Sequence, residues 1–148
     1  MLLLKKATKE DIHKLTDISK EAFDTDVTVG NSEVGGPPGY DSYEWHRKMM
    51  EEDHLYSFWA EEKIAGGAVL FKEAGKLYVG RIFVCPEIFR RGYGRKLMKA
   101  IEELYLEVQT ICLDTPVWNV RTNHFYKKCG YTETGRDEEA VYYCKKRW

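Results

Sequence analysis

Hydrophobic residues along the chain follow two spacings, and each spacing predicts a different secondary structure. Short apolar runs bounded by turn residues predict strands over residues 2–6, 55–60, 63–71, 77–84, 109–114, 131–134 and 140–145. Apolar residues that recur three or four positions apart predict helices over 11–23, 42–52, 92–108 and 119–128. Asp41 or Ser42 can cap the second of these helices. Helices that follow the first, fourth and fifth strands predict a mixed α/β sandwich with helices on both faces of the sheet.

A short basic loop joins the strand over 77–84 to the helix that begins near Gly92. Gly92 and Gly94 can adopt positive φ, so several backbone N–H groups can point at one anion. The macrodipole at a helix N-terminus also favours negative charge. Four side chains add positive charge around the loop: Arg90, Arg91, Arg95 and Lys96. The loop fits a diphosphate, although a solvated helix start with a glycine turn would use the same residues.

Size and charge narrow the class of protein. The chain has 148 residues, of which 43% are hydrophobic, so we expect one globular domain over 1–148. The formal net charge of −1 gives no electrostatic reason to expect nucleic acid or an anionic membrane as the partner. The first apolar residues are followed at once by Lys5 and Lys6, so we predict neither a signal peptide nor a membrane span.

The cysteines and histidines show no spacing typical of a metal site. The four cysteines are Cys85, Cys112, Cys129 and Cys144, and none forms a C-x-x-C pair. We expect all four to be reduced and the protein to be cytoplasmic. His46 and His54 flank acidic residues, but no H-E-x-x-H or similar ligand set is present. We therefore expect surface histidines and no bound metal.

Two motifs resemble the GCN5-related N-acetyltransferase (GNAT) superfamily. That family ends its cofactor strand with V-x-P and continues into a loop written Q/R-x-x-G-x-G/A, which the residues 84–86 and 90–95 follow, with Phe89 where the family has Gln or Arg. The family also often has N-x-x-A-x-x-F/L-Y-x-x-x-G-F/Y after its fifth strand. The residues 119–131 follow that pattern except for Thr122 in place of Ala. The resemblance extends by motif over about 63–134.

This resemblance implies a fold and a cofactor. The fold would be the α+β acyl-CoA N-acyltransferase fold, with a central, mostly antiparallel mixed sheet and helices on both faces. The co-substrate would be acetyl-CoA, with its pantetheine arm along the backbone of a splayed strand at Ile82, Phe83 and Val84 and its diphosphate at the glycine loop. The loop residues implied are Arg90, Arg91, Gly92, Tyr93, Gly94 and Arg95. Asn119 would contact the pantetheine amides or cap the following helix.

The resemblance also implies catalytic roles. Tyr126 would be the general acid that protonates the departing CoA thiolate. Asp114 stands where ribosomal-protein alanine acetyltransferases have a catalytic glutamate, so it is the candidate base. It is one methylene shorter than glutamate and would act through water, and a strand-end aspartate is also an ordinary turn former. A non-catalytic acyl-CoA-binding module remains the main alternative to an enzyme.

The acceptor is less defined by the sequence. Acidic and aromatic residues of the long loop over 24–40 and of the second helix suit a cationic amine. These residues are Asp24, Asp26, Glu33, Tyr40, Asp41, Tyr43 and Trp45. We expect a small-molecule amine, with a protein N-terminus or lysine as the alternative. The terminal strand and Trp148 are candidates for the edge of a homodimer.

Overall fold

The structure, a computed structural model, describes residues 2–32 and 34–147, without the side chains of residues 29 and 88–90. Glu33 and Trp148, and the side chain of Arg90, lie outside what it describes. The strands are β1 (Leu2–Lys6), β2 (Leu55–Ala60), β3 (Lys63–Glu73), β4 (Lys76–Val84), β5 (Thr110–Pro116), β6 (Thr132–Arg136) and β7 (Ala140–Lys146). The helices are α1 (Ile12–Asp24), α2 (Tyr43–Glu51), α3 (Tyr93–Leu104) and α4 (Val120–Lys128).

The seven strands form one sheet in the order β1-β2-β3-β4-β5-β7-β6. Only β4 and β5 pair in parallel, and every other neighbouring pair is antiparallel. Apolar residues of α1 and α2 pack on one face of the sheet, together with Leu55, Val69 and Phe83. Apolar residues of α3 and α4 pack on the other face. The α+β fold with helices on both faces is therefore confirmed.

Side-chain caps fix where two helices begin. The Ser42 hydroxyl accepts a hydrogen bond from the N–H of Trp45 at 3.1 Å, and the Asn119 side chain accepts one from the N–H of Thr122 at 3.0 Å. Both contacts satisfy an N–H group that the first helical turn leaves free. The predicted caps at these two residues are confirmed.

The third helix ends earlier than its apolar stripe predicts. It stops at Leu104, and Tyr105 has an extended backbone with φ of −126°. Its hydroxyl is hydrogen-bonded to that of Tyr56 on β2, which holds the Tyr105 side chain against the sheet. Val108 is fully buried even though it lies beyond the helix. The stripe therefore identified a core position correctly but not the helical bounds.

Two irregularities in β4 open the sheet. β4 pairs with β5 only from Lys76 to Val79, after which the two strands separate. On its other side, Val69 pairs with Arg81 and Leu70 pairs with Val79, so Gly80 is an extra, bulged residue. A Cβ at Gly80 would lie 2.7 Å from the ring of Phe71, so the bulge has room only for glycine. The second half of β4 therefore has a free edge.

The cysteine and terminal-strand predictions need correction. Cys112 and Cys144 are directly opposite each other on β5 and β7 and form a disulfide, with their Cα atoms 4.2 Å apart. Cys85 and Cys129 are free thiols. β7 lies between β5 and β6, so the terminal strand has no free edge for a dimer. No helix among the described residues is both long and apolar enough to cross a membrane.

Candidate active site

The separation of β4 from β5 opens a cleft of about 1070 Å³. Nine of the predicted site residues line it: Ile82, Phe83, Val84, Gly92, Gly94, Arg95, Asp114, Asn119 and Tyr126. Arg91 and Tyr93 do not line the cleft, and Arg91 is exposed to solvent. The tertiary structure thus brings together residues from β4, α3, β5 and α4 that are up to 44 positions apart in sequence.

The free edge of β4 presents backbone amides to this cleft. The N–H of Cys85 donates to the carbonyl of Ala65 on β3 at 2.8 Å. Because successive N–H groups of a strand point to opposite sides, those of Ile82 and Val84 point away from β3. No strand covers that side of β4 beyond Val79. These two amides are therefore free to pair with an extended ligand.

Gly92 and Gly94 have different structural roles. Gly92 has φ of +77°, in the left-handed region, and turns the chain into α3. Gly94 is inside the helix and does not use the positive φ that a glycine allows. A Cβ there would lie 3.4 Å from the Phe125 ring, an ordinary van der Waals contact. Neither the backbone nor the packing of α3 against α4 therefore requires glycine at position 94.

The first turn of α3 has N–H groups available for an anion. Within this helix the N–H of Lys96 donates to the carbonyl of Gly92 at 3.1 Å. The N–H groups of Tyr93, Gly94 and Arg95 come before it and have no partner inside the helix. Gly94 and Arg95 border the cleft at this point. The turn therefore has the donors and positive dipole end that a phosphate group requires.

Tyr126 lies at the base of the cleft with a buried ring. Tyr126 is 6% exposed, and its ring packs against those of Phe125, Tyr131 and Tyr143. Among the described residues none hydrogen-bonds to its hydroxyl, while the hydroxyl of neighbouring Tyr143 donates to Asn123 at 2.7 Å. Burial raises the pKa of Tyr126, and the nearby Cys129 and Asp114 raise it further. The phenol is therefore protonated at neutral pH.

Asp114 lies on β5 on the opposite side of the opening from β4. Its carboxylate is exposed and accepts a hydrogen bond from the hydroxyl of Tyr78. Burial and this hydrogen bond raise the pKa of Tyr78. Asp114, which can accept a proton, and Tyr126, which can donate one, thus line the same cleft.

The acidic residues predicted to bind the acceptor do not come together around the cleft in the described part of the chain. Asp24 is held by Lys20 at 2.6 Å and by the Tyr40 hydroxyl at 2.9 Å. The Tyr43 hydroxyl instead donates to Asp17 at 3.0 Å, and of the predicted acids that the structure describes only Asp26 lines the cleft. Asp26 is paired with Arg121 at 3.0 Å, but burial raises its pKa more than Arg121 and Asn119 lower it.

Arg81, which lines the cleft, was not recognised by the sequence reasoning, and His46, which packs near it, was misplaced. Arg81 stands in the middle of the apolar β4 run, and a charge inside a buried strand was the signal that could have identified it. Its guanidinium lies 4.0 Å from the centre of the Trp45 ring. His46 is fully buried, not at the surface, with its Nδ1 2.8 Å from the carbonyl oxygen of Ser42.

The sequence profile described as the acetyltransferase (GNAT) family matches residues 12–131, which is most of the chain. The chain belongs to the acetyltransferase (GNAT) family. Among curated proteins, none matches this GNAT chain in sequence. Its fold is shared by many solved structures, although sequence identity to the three described next is at most 18%.

Three solved structures show how closely the fold agrees. A GNAT-family acetyltransferase of Streptococcus agalactiae has a TM-score of 0.87 and 17% identity over 99% of this chain and 96% of its own. The PaiA N-acetyltransferase of Thermoplasma acidophilum, in complex with coenzyme A, has a TM-score of 0.84 and 17% identity over 99% of each chain. The ribosomal-protein-S18-alanine N-acetyltransferase of Escherichia coli has a TM-score of 0.78 and 18% identity over 99% of this chain and 94% of its own.

Proposed function

We propose that this GNAT protein transfers the acetyl group of acetyl-CoA to a primary amine while both substrates are bound together. The observation that carries the proposal is the cleft itself, which joins the Gly92 turn, the free edge of β4, Asp114 and the unpartnered hydroxyl of Tyr126. The PaiA relative of the same fold was solved with coenzyme A. An acyltransferase needs both an acyl-CoA groove and a protonated leaving-group acid, and this cleft offers both.

The cofactor would occupy the cleft from α3 to the middle of β4. Its diphosphate would accept hydrogen bonds from the first-turn N–H groups of α3, with the Arg95 cation beside it. Its pantetheine arm would pair with the amides of Ile82 and Val84 as an additional strand. The thioester carbon would then lie near the bulge at Gly80, between Asp114 and Tyr126.

The reaction requires proton transfers at the nitrogen and at the sulfur. An amine with a pKa of about 10.4 is almost wholly protonated at neutral pH, so Asp114 would first accept a proton from the ammonium group, directly or through water. The neutral nitrogen then attacks the thioester carbonyl carbon, and the carbonyl oxygen becomes an oxyanion that a β4 N–H can stabilise. The C–S bond breaks, the sulfur takes its proton from the Tyr126 hydroxyl, and the nitrogen gives its remaining extra proton to the Tyr126 phenolate. An N-acetyl amide and free CoA are left, and Asp114 returns its proton to water.

The acceptor is proposed to be a small molecule. Pro37 and Pro38 of the long loop line the cleft, and the Pro38 carbonyl accepts a hydrogen bond from Arg81 of β4, so the loop covers this part of the cleft. A protein N-terminus or lysine is the alternative acceptor, because the alanine acetyltransferase of Escherichia coli has the same fold. Two earlier predictions, a cytoplasmic location and a homodimer, stay predictions.

Calorimetric titration with acetyl-CoA tests the cofactor site. The Gly92→Glu variant places a carboxylate where the diphosphate would bind, and we expect micromolar binding by the native protein to be lost. Gly75→Glu is the matched control, because Gly75 also has positive φ, +72° against +77°, and neither position has a neighbour within 4 Å of an added Cβ. Equal loss in both variants would indicate backbone strain only.

Thiol release with a panel of amines tests the transfer itself. Acetyl-CoA binding that Gly92→Glu alone abolishes, followed by amine-dependent release of CoA, supports the enzyme. Binding without release with any amine would support the non-catalytic acyl-CoA-binding module. Absence of binding by the native protein would refute the cofactor assignment altogether.

A further inference from the structure

Arg81 carries a positive charge that the described part of the protein does not balance. One guanidinium nitrogen, Nη2, donates to the carbonyl of Pro38 at 3.1 Å, and the guanidinium lies over the Trp45 ring. The other, Nη1, is enclosed and has no hydrogen-bond partner among the described residues. No carboxylate of residues 2–32 or 34–147 forms an ion pair with Arg81. A largely buried guanidinium normally has a carboxylate or other acceptors around it, so the charge of Arg81 is incompletely compensated within the described residues.

The surroundings of Arg81 add no negative charge. Burial lowers the pKa of Arg81 to about 10, so the side chain remains charged at neutral pH but is poorly solvated. Beside it, His46 has an enclosed Nε2 without a partner in the same part of the chain. Burial lowers the pKa of His46, and the Arg81 charge lowers it further, so the imidazole is neutral. The pair therefore carries one positive charge, that of Arg81, next to a neutral imidazole.

The bulge at Gly80 determines which way Arg81 faces. Leu77 and Val79 contact the core beneath α3 and α4, and without the extra residue position 81 would point to that same face. The bulge instead turns Arg81 to the face of α1 and α2, beside Phe83. Arg81 thus borders the cleft immediately next to Ile82, on the side where the long loop and Pro38 close the cleft.

The acids around the cleft do not offer a site for a polycation. Asp26 is engaged by Arg121, and Asp114 accepts the Tyr78 hydroxyl. Glu138 and Glu139 also line the cleft but are exposed in the turn between β6 and β7, where solvent screens their charge. The enclosed charge on the acceptor side is therefore positive, and it complements an anionic group on the substrate.

We propose that the acceptor is an amino-carboxylate, a small amine bearing a carboxylate that Arg81 binds beside the reacting nitrogen. The inference rests on the proposed function, since it names the acceptor of that reaction. An arginine fork matches a carboxylate in geometry and can donate two parallel hydrogen bonds. Binding the carboxylate would supply the missing partner of the guanidinium and hold the neighbouring amine towards the thioester.

Matched acceptors test the chemistry directly. The native enzyme is assayed by CoA thiol release with each of the common amino acids, with its carboxamide, and with the amine that lacks the carboxylate. For the preferred acceptor we expect kcat/KM to fall on the order of 100-fold when the carboxylate is replaced by an amide or hydrogen. Equal or greater activity with the amide or the plain amine overturns the inference.

Variants of Arg81 test the residue. Arg81→Gln keeps a donor for Pro38 but removes the charge, and Arg81→Lys keeps the charge but removes the fork. We expect Arg81→Gln to raise KM for the carboxylate acceptor by about 100-fold and Arg81→Lys by less, with unchanged affinity for acetyl-CoA. Lys63→Gln, at an exposed cation at the start of β3, is the control. A loss shared equally by all amines would overturn the role of Arg81.

The two proposals fail differently. Acetyl transfer to amines without preference for a carboxylate overturns the acceptor inference and leaves the acetyltransferase standing. Acetyl-CoA binding with no acetylation of any amino-carboxylate also overturns the acceptor inference. Lack of acetyl-CoA binding by the native protein overturns both.

Discussion

The hydroxyl of Tyr126 offers the sharpest test of the proposed chemistry. Tyr126→Phe removes one oxygen atom that has no hydrogen-bond partner among the described residues, and the buried ring keeps its packing. A general acid typically contributes 10² to 10⁴ in rate, and a thiolate whose conjugate acid has a pKa of about 8.5 leaves readily. We therefore expect kcat to fall by about 100-fold, equivalent to roughly 2.7 kcal/mol of barrier.

The same substitution should cost little stability. Removing this hydroxyl leaves no other polar atom unsatisfied, so we expect a change in unfolding free energy of less than about 0.5 kcal/mol. Tyr143→Phe is the matched control, since its hydroxyl donates to Asn123 at 2.7 Å and its ring lies 6.2 Å from that of Tyr126. For Tyr143→Phe we expect the unfolding free energy to fall by about 1 kcal/mol while kcat stays at the native value.

The assay is CoA release at saturating acetyl-CoA and amine, measured from pH 6 to about pH 10, with urea unfolding in parallel. Because burial raises the pKa of Tyr126, its acid form persists as the pH rises past the ordinary phenol value of about 10. The native kcat should therefore show no alkaline decline from this group below about pH 10. A kcat for Tyr126→Phe within about threefold of native, with native affinity for acetyl-CoA, would refute its role as the acid.

Two further predictions concern β5. Asp114→Asn should lower kcat/KM at pH 7 by about 10- to 100-fold, and the deficit should shrink as the pH approaches the amine pKa, because more of the amine is then neutral without a base. A deficit that stays constant up to about pH 10 would show that Asp114 is not the base. Thiol titration of the unfolded protein should find two free cysteines before reduction and four after it, since Cys112 and Cys144 are bonded. Reduction should lower the unfolding free energy by roughly 2–4 kcal/mol, and four thiols before reduction would contradict the disulfide.

Local sequence patterns predicted most of the elements, because their causes are local. Short apolar runs predicted β1 and β2 with the bounds that the structure has. Ser42 and Asn119 marked helix starts because their side chains can accept a first-turn N–H. The family resemblance identified nine of the residues that line the cleft, including Gly92, Asn119 and Tyr126.

The predictions that failed concerned contacts between distant residues. No spacing rule shows that Cys112 faces Cys144, because that depends on the register of two strands 32 residues apart. The residues next to His46 in sequence do not indicate whether its side chain is exposed or buried, and in the structure it is fully buried. Asp24 is held by Lys20 and Tyr40, and Asp26 by Arg121, and a linear sequence cannot indicate these contacts.

By itself, then, the sequence determined the type and order of the elements, the left-handed turn at Gly92 and the family. Helix and strand periods, capping groups and glycine conformations act within a few residues, so they can be read along the chain. Only the tertiary structure decided that β4 and β5 separate beyond Val79 and that Arg81 faces α1 and α2, with its Nη1 unpartnered among the described residues. Both depend on a single bulged residue, Gly80, whose effect on the side chains after it exists only once β3 and β4 are paired.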